Sequence, residues 1–167
     1  MKDHVARWDV AIIGLGPVGA TLANLLGGYG IKTIVLEKNS SAHQQPRAVM
    51  FDDEIMRVFQ TLKLSKIMTD ITEVGGGAKF VDGDGNILLD WRRPRELSPN
   101  GWFINYRFHQ PELERTLRDN LSNHQTVEIL WNAEVVALKQ NNSGVRVTYS
   151  DQASRRRRSI DANYTVG

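Results

Sequence analysis

The stretch Trp8–Lys38, WDVAIIGLGPVGATLANLLGGYGIKTIVLEK, decides the fold. Val10-Ala11-Ile12-Ile13 is a short apolar run without alternation, as expected of a parallel strand buried on both faces. It breaks at Gly14-Leu15-Gly16-Pro17-Val18-Gly19, a G-x-G-x-x-G turn. Val18, Leu22, Leu25, Leu26 and Tyr29 then recur at helical spacing, and Gly30 stands where a left-handed residue would end that helix. Thr33-Ile34-Val35-Leu36 reads as a second buried strand, closed by Glu37.

Each part has a physical task in holding a dinucleotide. Gly14 permits the tight turn, Gly16 carries no Cβ to keep a pyrophosphate away, and Gly19 lets the helix pack closely. The helix start presents unpaired N–H groups and the positive end of its dipole to the phosphates. Glu37, 18 residues after Gly19, can accept hydrogen bonds from a ribose hydroxyl pair. A glycine turn alone is weak support; between a strand and a helix, with an acid at this distance, it has the context the motif requires.

Bulk properties narrow the class. At 167 residues with 41% apolar and 24% charged residues, the chain is an ordinary globular domain. Its apolar runs fall short of the roughly 20 residues a bilayer span needs, and the charged start MKDHVARWDV carries no signal-peptide pattern, so a cytoplasmic setting is expected. The absence of cysteine excludes disulfides and thiolate chemistry. His4, His43, His109 and His124 lack metal-ligand spacing, so no metal is expected. Arg155–Arg158 reads as the solvated tip of a β-hairpin, with none of the aromatic interleaving a nucleic-acid groove wants.

Beyond Lys38, residues 39–50 form a polar loop holding Pro46 and the cation Arg47. Asp52-Asp53-Glu54 start a helix whose apolar stripe is Ile55, Val58, Phe59 and Leu62. Residues 78–81 and 87–89 flank Asp82-Gly83-Asp84-Gly85-Asn86 as a β-hairpin. That turn imitates the start of a calcium loop, yet Ile87 and Arg93 occupy the places of the required Gly and Glu, and calcium is rejected. Residues 102–106 read as a short strand, and Pro111 as the first residue of a helix with Leu113, Leu117 and Leu121 inward. Gln110 stands just before it, on these grounds alone a capping or exposed residue. Val127–Leu130 reads as a third parallel strand, followed not by a helix but by a meander of three segments, 134–139, 144–149 and 159–163. Another apolar strand begins at Tyr164.

This order resembles the FAD-binding half of flavoprotein aromatic hydroxylases, the group that includes p-hydroxybenzoate hydroxylase. Pro46-Arg47-Ala48 with Phe51-Asp52-Asp53-Glu54 and Val58-Phe59-Gln60 is similar to the PRA…DDE…RxxQ stretch of the meta-hydroxyphenylpropionate hydroxylase branch. Phe108–Leu117 resembles that family's Q-P-x-L-E-x-x-L helix start, and Ala162–Gly167 the approach to its second FAD fingerprint. The resemblance implies an α/β, Rossmann-like βαβ FAD-binding fold with a parallel sheet, a β-meander replacing a crossover helix, and a hairpin from an incomplete substrate domain. The core would span about 8–73 and 108–132, the meander about 133–163 and the substrate-domain strands about 78–106. The chain would be the N-terminal portion of a longer enzyme.

By the same resemblance, Gly14, Gly16, Pro17, Val18 and Gly19 line the FAD pyrophosphate, Glu37 holds the AMP ribose and Lys38 flanks the adenosine. Arg47 and Ala48 sit beside the phosphates and flavin chain, Gln110 contacts the pyrophosphate or ribityl chain, and Val135 offers backbone to adenine. The implied reaction takes hydride from NADH or NADPH, captures O2 as a C4a-hydroperoxide and hydroxylates a small phenolic or other aromatic substrate. No residue here is assigned acid–base catalysis. Partners expected are the aromatic substrate, O2 and NAD(P)H, with neither nucleic acid nor membrane; a homodimer is left open. Alternatives are another FAD-dependent oxidase or reductase, a non-catalytic FAD-binding fragment, and an NAD-dependent dehydrogenase, which the first 38 residues alone would allow.

Overall fold

A computed structural model describes residues 7–41 and 47–167. Pro46 of the loop motif, with His4 and His43, lies outside the described residues. The chain divides into two compact units, residues 1–43 with 114–167, and residues 44–113.

The first unit is built on a six-stranded sheet. Its strands are β1 (Trp8–Ile13), β2 (Thr33–Glu37), β8 (Val127–Trp131), β9 (Ala133–Asn141), β10 (Gly144–Asp151) and β11 (Arg156–Val166), in the order β8-β2-β1-β11-β10-β9. β1 pairs in parallel with β2 and β11, and β2 with β8. Every residue of β2 is buried, which accounts for its unbroken apolar reading. The meander is present, with β9, β10 and β11 antiparallel in turn. Its third segment and the apolar strand at Tyr164 are not separate elements. Both belong to β11, in which Ala162 pairs with Val145 on one side and Trp8 on the other. Ala11, Ile34, Leu36, Ala133, Val145, Val147, Tyr149 and Ala162 form one buried cluster, with Val135 packed against it.

Helix α1 (Pro17–Gly28) connects β1 to β2. It ends in a Schellman motif: Gly30, at φ 71°, donates to the Gly27 carbonyl, and the Ile31 N–H reaches Leu26. Its buried face is made of small residues rather than of the large apolar ones that set its period. Val18 and Tyr29 are exposed, whereas Ala20, Ala23 and Asn24 are buried. Small side chains let the helix lie close to its neighbours, which periodicity of large residues does not reveal. Asn24 Nδ2 donates to the Ala20 and Leu117 carbonyls, and its Oδ1 accepts from Asn120. Leu117 and Asn120 lie on helix α4 (Gln110–Asn120), which a 3-10 turn at Leu121–Asn123 follows.

The second unit holds β3 (Met50–Phe51), α2 (Asp53–Thr61), α3 (Ser65–Asp70), β4 (Thr72–Val74), β5 (Gly77–Val81), β6 (Ile87–Arg92), β7 (Tyr106–Phe108) and the first turn of α4. Asp52 caps α2, its Oδ1 accepting from the Ile55 N–H at 3.1 Å. Met56 and Phe59 are the residues α2 buries; Ile55, expected inward, is 40% exposed. The hairpin forms as β5–β6. The strand expected at 102–106 is instead β7, between β3 and β4, because residues 98–103 turn back as a loop carrying one bridge, Leu97 to Phe103. β3, β4 and α3 are too short to show a period in the sequence. Phe51 stacks on Tyr106 at 5.3 Å and meets Phe59 edge-on at the same distance.

Candidate functional site

The glycine turn sits between the end of β1 and the start of α1. Gly14 adopts φ 97°, a conformation that disfavours any other residue, and donates to the Leu36 carbonyl at 2.8 Å. A Cβ on Gly19 would collide with the Gly14 carbonyl and press on Ile12, so this glycine sets how closely the helix meets the turn. A Cβ on Gly16 would meet nothing within 4 Å. Gly16 is therefore unnecessary for internal packing, and its lack of a side chain leaves its backbone open to an approaching group.

Gly16 is also the N-cap of α1, and no side chain caps it. Pro17 follows at the first helical position without an N–H, and the first turn carries no acidic residue. The Val18 and Gly19 N–H groups thus lie in a first turn that carries no acid and no side-chain cap. This cradle fits two linked phosphates on three counts: open backbone, uncapped donors and the positive end of the dipole.

Glu37 closes β2 with its carboxylate turned toward this turn. Oε2 accepts the Leu15 N–H at 2.7 Å, and Oε1 accepts the Asn39 N–H at 2.8 Å. The residue is only 6% exposed. Each carboxylate oxygen can accept a further hydrogen bond, so a ribose role is compatible with these two. The sequence motif gives no sign that the acid also braces the turn. Lys38 is exposed.

A second brace, absent from the sequence reading, comes from Arg118 on α4. Its Nη2 and Nε donate to the Leu15 carbonyl at 2.6 and 3.2 Å. Nη2 also pairs with Glu114 at 3.2 Å, and the guanidinium lies 5.5 Å from the Trp131 ring centroid. The only hint in the sequence is the i,i+4 acid–base spacing of Glu114 and Arg118.

In the second unit Gln110 is the first residue of α4 and is 2% exposed, so it is not a surface cap. Its Oε1 accepts both the Arg47 N–H, at 2.7 Å, and the Ala48 N–H, at 2.9 Å. One buried amide thereby fixes the loop backbone before β3, while the Arg47 side chain stays exposed. Val135 lies in β9, paired with Tyr149 beside an irregularity in the β9–β10 register.

Features outside these groups have simpler roles. Asp82 accepts the Asp84 and Asn86 N–H groups with one oxygen and the Asn86 side chain with the other, so its carboxylate belongs to the hairpin turn. Of the arginine run, Arg155 occupies the turn at φ 55° and Arg156–Arg158 begin β11, all exposed. Among the described residues there is no cluster of three or more metal-ligating side chains, and no helix is long and apolar enough to cross a membrane.

Comparison with known proteins follows the same line. A family described as FAD binding domain matches residues 7–167. A 3-(3-hydroxy-phenyl)propionate/3-hydroxycinnamic acid hydroxylase of Paraburkholderia xenovorans is 36% identical over 159 residues, covering 95% of this chain and 25% of that protein. A probable NADH-specific resorcinol 4-hydroxylase of Rhodococcus jostii is also 36% identical, covering 95% of this chain and 30% of its own length. Among solved structures, p-nitrophenol 4-monooxygenase PnpA from Pseudomonas putida superposes with a TM-score of 0.83 at 22% identity, over 95% of this chain and 40% of that one. The chain thus spans less than a third of the length of these two curated relatives.

Proposed function

From the premise that this chain belongs to the FAD-binding domain family, we propose that it is the FAD-binding part of a flavin-dependent monooxygenase acting on a small aromatic substrate with NAD(P)H and O2. The observation that carries the reading is the turn at 14–19, where Gly16 leaves its backbone open and Glu37 faces the same loop. The hydroxylase part rests on the two curated relatives, whose names are those of aromatic hydroxylases.

Bound FAD would supply the redox chemistry; this chain's residues would bind and orient it. The Gly16, Val18 and Gly19 N–H groups would donate to the pyrophosphate, Pro17 would set the helix entry, and Gly14 would permit the turn. Glu37 would accept from the AMP ribose. Lys38, Arg47, Ala48, Gln110 and Val135 are carried as further FAD contacts on family resemblance alone. No residue of the chain is assigned proton transfer.

Titration with FAD tests the reading. The flavin absorption bands should shift and gain structure as the chain binds, while NAD at the same concentration should not compete. A chain that takes up NAD and leaves the flavin spectrum unchanged would replace this proposal with the dehydrogenase alternative.

A further inference from the structure

The Leu15–Gly16 peptide unit is held in an unusual way. Its carbonyl oxygen accepts two donors from one guanidinium, Arg118 Nη2 at 2.6 Å and Nε at 3.2 Å. The N–H of that same peptide unit belongs to Gly16, whose missing side chain leaves open space. The preceding unit, Gly14–Leu15, is fixed through its N–H by Glu37 at 2.7 Å. A carboxylate and a guanidinium therefore pin two consecutive peptide units, one through its N–H and the next through its carbonyl.

We infer that Arg118 is a positioning residue for the pyrophosphate: by gripping the Leu15 carbonyl it orients and polarises the peptide whose Gly16 N–H donates to the phosphates. A cation bonded to a carbonyl draws electron density through the amide and makes the N–H at its other end a stronger donor. Glu114 keeps this action local. The two groups pair at 3.2 Å and offset each other, so the pair holds little net charge with which to attract an anion over distance. The guanidinium fork matters because it presents two donors in one plane to one oxygen, which an ammonium cannot do. The guanidinium also lies over the Trp131 ring, 5.5 Å from its centroid.

The inference rests on the FAD reading above, and its test separates the two. Arg118→Met and Arg118→Lys are compared with the unaltered chain by FAD titration and by the amide NMR resonance of Gly16 without ligand. The unaltered chain should bind FAD. Arg118→Met should move the Gly16 resonance upfield and weaken FAD roughly tenfold, the size of one charge-assisted hydrogen bond. Arg118→Lys, which keeps the charge and one donor, should recover part of both. Should Arg118→Met alone fail to fold because Glu114 has lost its cation, Glu114→Met/Arg118→Met removes both charges and is read in the same way. FAD binding by the unaltered chain, together with an unmoved Gly16 resonance and unweakened binding in the variants, overturns the role of Arg118 and leaves the FAD reading standing. An unaltered chain that ignores FAD overturns both.

Discussion

Glu37 and Leu15, 22 residues apart, are joined by a 2.7 Å hydrogen bond in which the backbone of the glycine turn donates to the carboxylate at the end of the second strand. The acid that the sequence offers to a sugar is therefore also part of the turn's own support. Glu37→Ala would orphan the Leu15 and Asn39 N–H groups and should destabilise the chain by about 2 kcal/mol. Glu37→Gln retains one accepting oxygen and should lose less. Urea unfolding of the two variants without ligand gives the comparison; equal, negligible losses would show that the brace contributes nothing.

Gly16 and Gly19 should respond oppositely to enlargement. Gly16→Val projects into open space, so thermal stability should change little while FAD affinity falls severely. Gly19→Ala drives a methyl against the Gly14 carbonyl and should destabilise by about 1–3 kcal/mol. Melting curves with a parallel flavin titration distinguish them. A Gly16→Val variant that binds FAD normally would refute the cradle.

Gln110 should act as a latch on its loop. Gln110→Leu leaves the Arg47 and Ala48 N–H groups without their acceptor, and hydrogen exchange at these two amides should accelerate about tenfold. Gln110→Glu keeps an acceptor and should largely restore protection. Unchanged exchange in the leucine variant would mean that the loop is held by other contacts.

Acid should release one loop ahead of the rest. Ser98 Oγ and Asn100 Nδ2 both donate to Asp53 at 2.6 Å and hold its carboxyl below the ordinary 3.8. A depressed folded-state value means these bonds act in full above 3.8 and are lost as pH falls through the lower value. The Asn100 side-chain and Trp102 indole N–H resonances should therefore stay fixed from neutrality down to that point and move only beneath it. Movement near pH 6, about where histidine titrates, would assign the loop's response to another group.

What the sequence made legible follows from the range of the forces involved. The glycine turn, the Gly30 stop, the fully buried β2 and the β5–β6 hairpin are encoded by adjacent residues, and each is found where expected. The helical spacing after the turn predicts α1, but not that its buried residues are Ala20, Ala23 and Asn24, whose worth depends on what lies against them. The role of Arg118 is silent in the sequence for a related reason: its partner, Leu15, is 103 positions away and contributes a backbone carbonyl, which has no signature there. Family resemblance singles out Gln110 as a candidate FAD contact, while its grip on Arg47 and Ala48 has no signature in the sequence.

Ala162 meets Val145 across one edge of β11 and Trp8 across the other, and is fully buried. Losing a single residue between Arg157 and Asp161 would advance the pleat by one step, turning inward-facing side chains outward against β10 or against β1. The meander and the nucleotide-binding sheet thus share one alignment, and neither can slip alone. Drift in length is tolerable in the exposed turn at residues 152–155, while β11 itself must keep its count.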